Sequence, residues 1–224
     1  MSGLYGVTEW ITRFAVINLL WILFNLPVAL IIINAIYVQQ QGALFFIIVL
    51  LAIIAPFIFF PATTAMFASV RDWVLQKEDR SLIRSYWKYY KENYRRSVVG
   101  GIILTLIWVI WGVDYYYFST VNVILMFAFI IMGVLLFVFT INFFSVLAHY
   151  ELNIRSLLKT TLIITVGSPI LLFTVTIGSG IILYVSFNGL LFLLLFFTGS
   201  LISFISFSAF YRLYDKLTQK TSGN

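Results

Sequence analysis

The sequence contains no cysteine, only one histidine (His149) and few charged residues, which make up 10% of its 224 residues. Without cysteine, disulfide bonds, thiolate-bound zinc and thiol catalysis are excluded. A single histidine cannot form a histidine metal cluster by itself. The charged fraction is also far below the roughly 25% of an ordinary soluble domain.

Several catalytic and energy-coupling motifs are absent as well. The sequence has no Gly-x-x-x-x-Gly-Lys-Ser/Thr loop, which excludes ATP hydrolysis by that route. Every acidic residue lies near the end of an apolar run, in a linker or in the tail, so no carboxylate pair is available inside a membrane to couple transport to ions. We therefore expect no enzyme activity and no cofactor.

Apolar residues are abundant: 62% of the chain is hydrophobic and 19% is aromatic. A soluble domain of this length could not remove so much apolar surface from water. Long unbroken apolar runs predict helices that cross a membrane. The sequence thus predicts an all-α, polytopic helical membrane protein that forms a single membrane domain.

Six apolar segments are each close to the ~20 residues that a membrane-spanning helix needs. They run from about Phe14 to Val38, Ala43 to Val70, Val98 to Tyr115, Val121 to Ala148, Leu157 to Val185 and Leu190 to Phe210. The longest polar stretch between them is the linker 71–97. We predict about six spans, with an amphipathic cytoplasmic helix in this linker between the second and the third.

In this arrangement of six spans, all 14 lysines and arginines fall on the same side of the membrane. One precedes the first segment, eight lie in the linker 71–97, two follow the fourth segment and three lie in the tail. The alternate linkers, near residues 39–42, 118–120 and 187–189, have none. Because basic residues accumulate on the cytoplasmic side, both termini are predicted to be cytoplasmic. This explains the net charge of +6 without nucleic acid.

An apolar and aromatic stripe runs along the predicted linker helix, where Leu82, Tyr86, Tyr90 and Tyr94 recur every four residues. One interpretation is a helix in the membrane interface, with its basic side toward lipid headgroups. The other is a docking surface for a cytoplasmic partner. The candidate contact residues are Arg71, Trp73, Arg84, Trp87, Lys88, Lys91 and Arg95.

Polar residues and prolines interrupt the apolar segments. Each proline in the second segment removes a helical N–H, which leaves a carbonyl without its donor. Such breaks line substrate paths in transporters, but they also occur as plain kinks, and asparagine and histidine also hold helices together. The candidate residues are Asn18, Asn25, Pro56, Pro61, Thr63, Asn142 and His149.

At the far end of the third segment, Trp108, Trp111 and Asp114 are spaced by three residues, and three tyrosines follow. Aromatic rings beside a carboxylate could hold a sugar ring. The aromatic belt of a membrane interface predicts the same residues. Both interpretations stay open at this stage.

Three stretches carry a resemblance to a known family. They are residues 60–73 (FPATTAMFASVRDW), the early TEWI and NLLW motifs at 8–11 and 18–21, and residues 86–96 (YWKYYKENYRR). They resemble the YesL family of bacterial integral membrane proteins, which contain a domain of unknown function. Since such genes often lie beside those of carbohydrate ABC importers and glycoside hydrolases, the resemblance implies the plasma membrane of a bacterium and a link to sugar uptake or glycan handling.

Two functions follow as hypotheses. The first is an accessory membrane protein that contacts a sugar ABC importer or cell-envelope proteins, with membrane lipid as its other partner. The second is a passive passage for a sugar or a lipid-linked glycan through the six spans, lined by Pro56, Pro61, Asn25 and Asn142.

Overall fold

The computed structural model describes residues 2–38, 40–77, 81–189 and 192–222, and these form ten helices. Of the predicted features, Gln39, linker residues 78–80 with Arg80, and Leu190 at the start of the sixth segment lie outside the described residues. The helices are α1 (Ser2–Phe24), α2 (Leu26–Tyr37), α3 (Gln41–Ile54), α4 (Phe59–Val74), α5 (Leu82–Val121), α6 (Val123–His149), α7 (Ile154–Gly167), α8 (Pro169–Asn188), α9 (Phe192–Phe196) and α10 (Thr198–Ser222).

Four of these helices are long and apolar enough to cross a membrane: α1, α5, α6 and α8. Helices α3 and α4 meet the same criterion only as a pair, which is bent by 51° at the break between them, so the number of helices that can cross a membrane is four or five. The all-α, multi-pass membrane architecture is thus confirmed, and the predicted number of six spans is approximate. The sixth segment is not long enough to count as a membrane-spanning helix, because the uncharged part of α10 ends at Tyr211, before Arg212.

The surface supports a membrane environment. Large apolar side chains point outward along the helices, and Ile36, Ile124 and Ile170 are each more than 70% exposed. In water such a continuous apolar surface would drive aggregation. In a bilayer it faces hydrocarbon, which is as apolar as the side chains themselves.

Proline accounts for two breaks that correct the continuous spans predicted over 14–38 and 157–185. The first segment is divided between α1 and α2, with Pro27 in the first turn of α2. The fifth is divided at Ser168, and Pro169 begins α8. Proline lacks the N–H that would continue the preceding helix, but it fits the first turn of a new one.

The second and sixth segments are broken in different ways. Pro56 lies in the turn at residues 55–58 between α3 and α4, as the proline pattern led us to expect. The sixth segment breaks at Phe197, between α9 and α10, where the sequence has no proline. The continuous span predicted over 190–210 is therefore also corrected.

The predicted linker 71–97 does not form a separate helix. Residues 71–74 complete α4, and residues 82–97 are continuous with the third span in α5, which has 40 residues. No glycine or proline lies between Leu82 and Val99 to end the helix. At 1.5 Å per residue, α5 is about 60 Å long, so residues 82–97 continue the third span in the same helix.

Helix α4 lies at the centre of the bundle. It contacts α1, α5, α6 and α10, and every residue from Phe60 to Val70 is buried. Small residues permit the close approach of α5: a Cβ added at Gly101 would lie 2.8 Å from Cγ of Phe60. Such packing of small residues is how membrane helices come close without a hydrophobic driving force.

Candidate functional site

The end of α4 carries a buried carboxylate. Asp72 is only 3% exposed, and it accepts hydrogen bonds from Arg71, at 2.9 Å from Nε and 2.8 Å from Nη2. The hydroxyl of Tyr89 on α5 donates to its other oxygen, and Nζ of Lys77 lies 4.0 Å away. The carboxylate is therefore paired and hydrogen-bonded on both oxygens, which is the condition for burying a charge.

Two arginines meet the C-terminal end of α6. Nη1 of Arg71 donates to the carbonyl of Ala148 at 2.6 Å, and Nη1 of Arg96 donates to the carbonyl of Tyr150 at 3.3 Å. The last carbonyls of a helix have no donor within it and carry the negative end of its dipole. The arginines supply both the hydrogen bonds and the opposite charge, and they fix α4, α5 and α6 together.

The first part of α5 is anchored by its tyrosines. Tyr86 is fully buried, and its hydroxyl donates to the carbonyl of Ala62 on α4 at 2.9 Å. The ring of Phe24 on α1 lies 5.2 Å from Tyr86 and 4.9 Å from Tyr90. The inner part of the predicted aromatic stripe thus packs against the protein rather than against lipid, while Tyr94 is exposed.

The opposite side of this segment is a basic face. We use "basic face" for Arg84, Trp87, Lys88, Lys91 and Arg95, which are all exposed. Nζ of Lys91 lies 4.6 Å from the ring centre of Trp87, and this ring stacks on Tyr90 at 5.8 Å. Five of the seven predicted contact residues therefore share one surface.

The other two predicted contact residues lie elsewhere. Arg71 is largely covered by its bonds to Asp72 and Ala148. Trp73 is only 3% exposed, in edge-on contact with Phe14 at 5.5 Å. Trp73 is thus not on the contact surface that the sequence predicted. A residue near the end of an apolar run can face the interior of the protein, and the charge pattern does not indicate this.

Asn18 supplies hydrogen bonds to the backbone at the break in the sixth segment. Its Nδ2 donates to the carbonyls of Leu194 and Leu195, at 3.1 and 2.7 Å, and its Oδ1 accepts from the N–H of Ser200 at 3.1 Å. These backbone groups are left without partners where α9 stops and α10 starts. Gly199 lets the side chain approach, since a Cβ there would lie 3.0 Å from Oδ1 of Asn18.

Two further polar contacts join separate pairs of helices, whereas Asn25 bonds locally. Nε1 of Trp21 on α1 donates to Oγ1 of Thr63 on α4 at 3.0 Å, and Nδ2 of Asn142 on α6 donates to Oγ1 of Thr165 on α7 at 3.0 Å. Asn25 bonds within its own stretch of chain, to the carbonyl of Trp21 at 2.8 Å. These contacts match the role of holding helices together.

The two prolines of the second segment differ in position. Pro56 lies in the turn before α4, and Pro61 lies buried in the first turn of α4. Neither residue lines either of the two cavities described below, and the same holds for Asn25 and Asn142.

His149 lies among aromatic rings at the end of α6. The ring centres of Tyr214 and Tyr150 are 4.6 and 4.7 Å from it. Beside them is a cavity of about 320 Å³. The sequence alone did not indicate this cavity, because its walls come from Tyr150, just after α6, and from α7 and α10. Burial, with Tyr214 as a further cause, raises the pKa of Tyr150. The lining residues are Tyr150, Ile164, Phe210, Leu213, Tyr214, Leu217 and Thr218.

A second cavity, of about 450 Å³, lies at the other end, between α5, α6 and α8. Nε1 of Trp108 donates to Oγ1 of Thr140 at 3.1 Å, and Nε1 of Trp111 donates to the carbonyl of Phe129 at 2.9 Å. Both indole N–H groups are thus engaged within the protein, and the predicted sugar contact stays a prediction. The lining residues are Trp108, Trp111, Tyr115, Ile130, Gly133, Val134, Phe137, Thr176, Gly180 and Leu183.

Among the residues that the structure describes, no three His, Asp or Glu side chains lie close enough together to hold a metal ion.

Comparisons with known proteins give a consistent result. A family model described as "Protein of unknown function, DUF624" matches residues 14–115. The chain is 30% identical to Uncharacterized protein YteU of Bacillus subtilis (strain 168), over 94% of this chain and 85% of the relative. It is 27% identical to Uncharacterized protein YesL of the same organism, over 98% of this chain and 94% of the relative. No solved structure gives a significant match.

Proposed function

Since the chain belongs to the YesL-like family of proteins of unknown function (DUF624), we propose a role from its own surface: an accessory membrane protein that acts through contact with another protein. It is a multi-pass membrane protein, and we propose that it has no catalysis of its own. The basic face of α5 is the observation that carries this proposal.

The basic face combines exposure with rigidity. Tyr86 and Tyr89 fix α5 to α4, and Arg96 fixes it to the end of α6. A partner that docks on this face would not have to order a flexible segment, so the entropic cost of binding is reduced. Tryptophan and arginine are also the residues that most often dominate binding energy at interfaces.

The charge of the face defines the kind of partner. Residues 82–97 contain five basic residues and one acidic residue, so a surface rich in aspartate and glutamate is complementary. Such complementarity speeds association and excludes basic partners. From the family resemblance, we propose that the partner is a subunit of a sugar ABC importer or a cell-envelope protein.

The position of the basic residues also supports an orientation. We propose that the protein lies in the plasma membrane of a bacterium, with the basic face and both termini in the cytoplasm, because lysine and arginine are retained on that side. The partner surface would then be cytoplasmic.

The proposal can be tested in native membranes. The variant Lys88→Gln with Lys91→Gln removes two charges from the basic face, and Arg155→Gln with Lys159→Gln removes two exposed charges from the start of α7 as a matched control. We expect chemical cross-linking in cells, mild-detergent purification and quantitative mass spectrometry to recover a transporter or envelope subunit with the wild type and the control. The first variant should recover about tenfold less, as for the loss of one strong interfacial contact.

Two results would contradict the proposal. The first is that wild-type protein recovers no transporter or envelope subunit above the background of an unrelated membrane protein. The second is equal recovery with both double variants, which would mean that the basic face does not make the contact.

A passive passage for a sugar or lipid-linked glycan is the second candidate. The observation that favours it is the number of broken helices, since four of the six apolar segments are interrupted and interrupted helices form the sites of many transporters. Purified protein in liposomes should then release entrapped sugar faster than protein-free liposomes. Equal rates of release for every sugar and lipid-linked glycan tried would count against a passage.

A further inference from the structure

Asp114 is an isolated charge. It lies at the end of the bundle that is far from the basic face. It is the only lysine, arginine, aspartate or glutamate between Ser97 and Ala148, and the segments 14–70 and 160–211 contain none. It lies 18 residues after Arg96 on the same helix, which is about 27 Å along the helix axis. This distance is close to the thickness of the hydrocarbon core of a bilayer, so Asp114 lies near the second membrane surface.

The carboxylate of Asp114 has no partner within the part of the chain that the structure describes. No hydrogen bond and no ion pair reaches it, in contrast to Asp72, which has several. A carboxylate near a membrane surface is favoured by any cation that can approach it. No lysine or arginine lies in the segments 14–70, 97–148 and 160–211.

A largely apolar cavity lies next to the turn of α5 that carries Asp114. Trp111 and Tyr115 of α5 line this cavity and Asp114 does not, but Asp114 is the i+3 neighbour of Trp111 on the helix, about 60° around the axis from it. Trp111 and Tyr115 stack at 5.5 Å with an angle of 12°, so each ring covers one face of the other and the pair forms a flat apolar wall of the cavity.

Two glycines, on α6 and α8, line the cavity. Gly133 lies against Trp111, where a Cβ would come 2.4 Å from the indole. Gly180 on α8 faces open space, with no atom within 4 Å of an added Cβ. The volume of about 450 Å³ is within the range of small-molecule sites. The walls are apolar apart from the hydroxyls of Thr176 and Tyr115 and the indole N–H groups of Trp108 and Trp111, which are already bonded within the protein.

An occupant of this site must combine a cation with an apolar chain, because it must satisfy Asp114 and fill an apolar cavity within the membrane. We propose that the site binds a membrane lipid whose headgroup ends in a primary ammonium, with one hydrocarbon chain in the cavity and the ammonium at Asp114. An ammonium donates up to three hydrogen bonds, which suits a carboxylate that accepts none from the protein. This site is separate from the basic face and does not depend on the proposed docking function.

The test uses the full-length protein in nanodiscs made from equal amounts of phosphatidylethanolamine and phosphatidylglycerol. After transfer to detergent, native mass spectrometry counts the lipids of each class that remain bound. We expect the wild type to retain phosphatidylethanolamine about tenfold over phosphatidylglycerol, the factor expected for one charge-assisted hydrogen bond. Phosphatidylcholine, whose ammonium has no N–H, should be retained less well than phosphatidylethanolamine.

Two variants examine the two halves of the site. Asp114→Asn keeps the shape but removes the charge, so it should abolish the preference for phosphatidylethanolamine. Gly180→Leu fills the cavity and should lower retention of that lipid about tenfold. Gly112→Leu is the matched control, because Gly112 is also a helical glycine with no atom within 4 Å of an added Cβ and does not line the cavity.

The proposal is overturned if the wild type retains the two lipid classes equally, which would indicate only the general lipid shell around the bundle. It is also overturned if Asp114→Asn keeps the wild-type preference, or if Gly180→Leu retains as much phosphatidylethanolamine as Gly112→Leu. A variant that does not give a single monodisperse peak in detergent is replaced by Asp114→Ser or Gly180→Val, for which the same results are expected.

Discussion

At the scale of single residues, Asp72 connects α4 to α5 near the basic face. It is held by Arg71 on its own helix and by Tyr89 on α5, while Arg71 also binds the carbonyl of Ala148 at the end of α6. The loss of this carboxylate therefore leaves a largely covered arginine without its counter-charge. A buried ion pair that loses one partner is strongly destabilising.

We predict that Asp72→Ala lowers the free energy of unfolding by about 3 kcal/mol, at the lower end of the range for a buried pair because Arg71 keeps some exposure. Tyr89→Phe removes only one hydrogen bond to a charged group and should cost about 1.5–2 kcal/mol. Thermal unfolding in detergent measures both. The control is Glu92→Ala, because Glu92 forms an exposed ion pair with Lys88 at 3.9 Å. Such a pair should contribute under about 1 kcal/mol to the free energy of unfolding. Equal shifts of the unfolding midpoint for Asp72→Ala and Glu92→Ala would contradict the prediction.

A second residue-scale prediction concerns Asn18, whose amide bonds three backbone groups at the α9–α10 break. Asn18→Leu leaves these groups buried without partners, and we expect a loss of about 2–3 kcal/mol or more. Asn188→Leu is the control, because Asn188 is exposed and bonds only its own helix. Unfolding midpoints that are the same for the two variants would show that Asn18 does not support the break.

At the scale of helices, glycine decides how closely α5 packs. A Cβ at Gly100 would lie 2.2 Å from Cζ of Phe143, which is itself fully buried and cannot move freely. Gly112, on the same helix, faces open space. The same substitution should therefore have opposite effects at the two positions.

We predict that Gly100→Ala destabilises the protein by about 1–3 kcal/mol through overpacking. Gly112→Ala should be neutral or stabilising by up to about 1 kcal/mol, because alanine is the better helix former. The midpoints of thermal unfolding in detergent distinguish the two variants. A stabilising effect of Gly100→Ala would mean that α5 and α6 are farther apart than the structure shows.

At the scale of the whole molecule, the distribution of charge makes a prediction about orientation, and the absence of cysteine makes it easy to measure. Thr120→Cys and Lys159→Cys each introduce a single thiol at an exposed position, one at each end of the bundle. We expect a membrane-impermeant maleimide to label Thr120→Cys in intact cells and Lys159→Cys only after permeabilisation. The reverse pattern would show that the basic end is outside.

The membrane class could be predicted from the sequence because it depends on composition, which no tertiary contact can change. The prolines likewise predicted the break near Pro56, since proline acts on its own helix. The break at Phe197 could not be predicted in this way. It contains no proline, and it is stabilised by Asn18 from the other end of the chain.

The candidate sites show the same division. The exposure of Lys88, Lys91 and Arg95 follows from their charge, and the sequence predicted it. That Trp73 turns inward and Tyr86 is buried against α4 depends on which helices lie beside them. The cavity near Tyr150 was missed because its walls are far apart in the sequence.

By itself, the sequence determined that this is a helical membrane protein with its positive charge at one end, because hydropathy and charge act locally along the chain. Only the tertiary structure decided that Tyr86, in the first part of α5, is buried against α4 and that Asp72 is buried in an ion pair. It also decided that Trp111, the helical neighbour of the unpaired Asp114, lines a largely apolar cavity. These features depend on contacts between helices distant in the chain, and such contacts leave no periodic pattern in a single sequence.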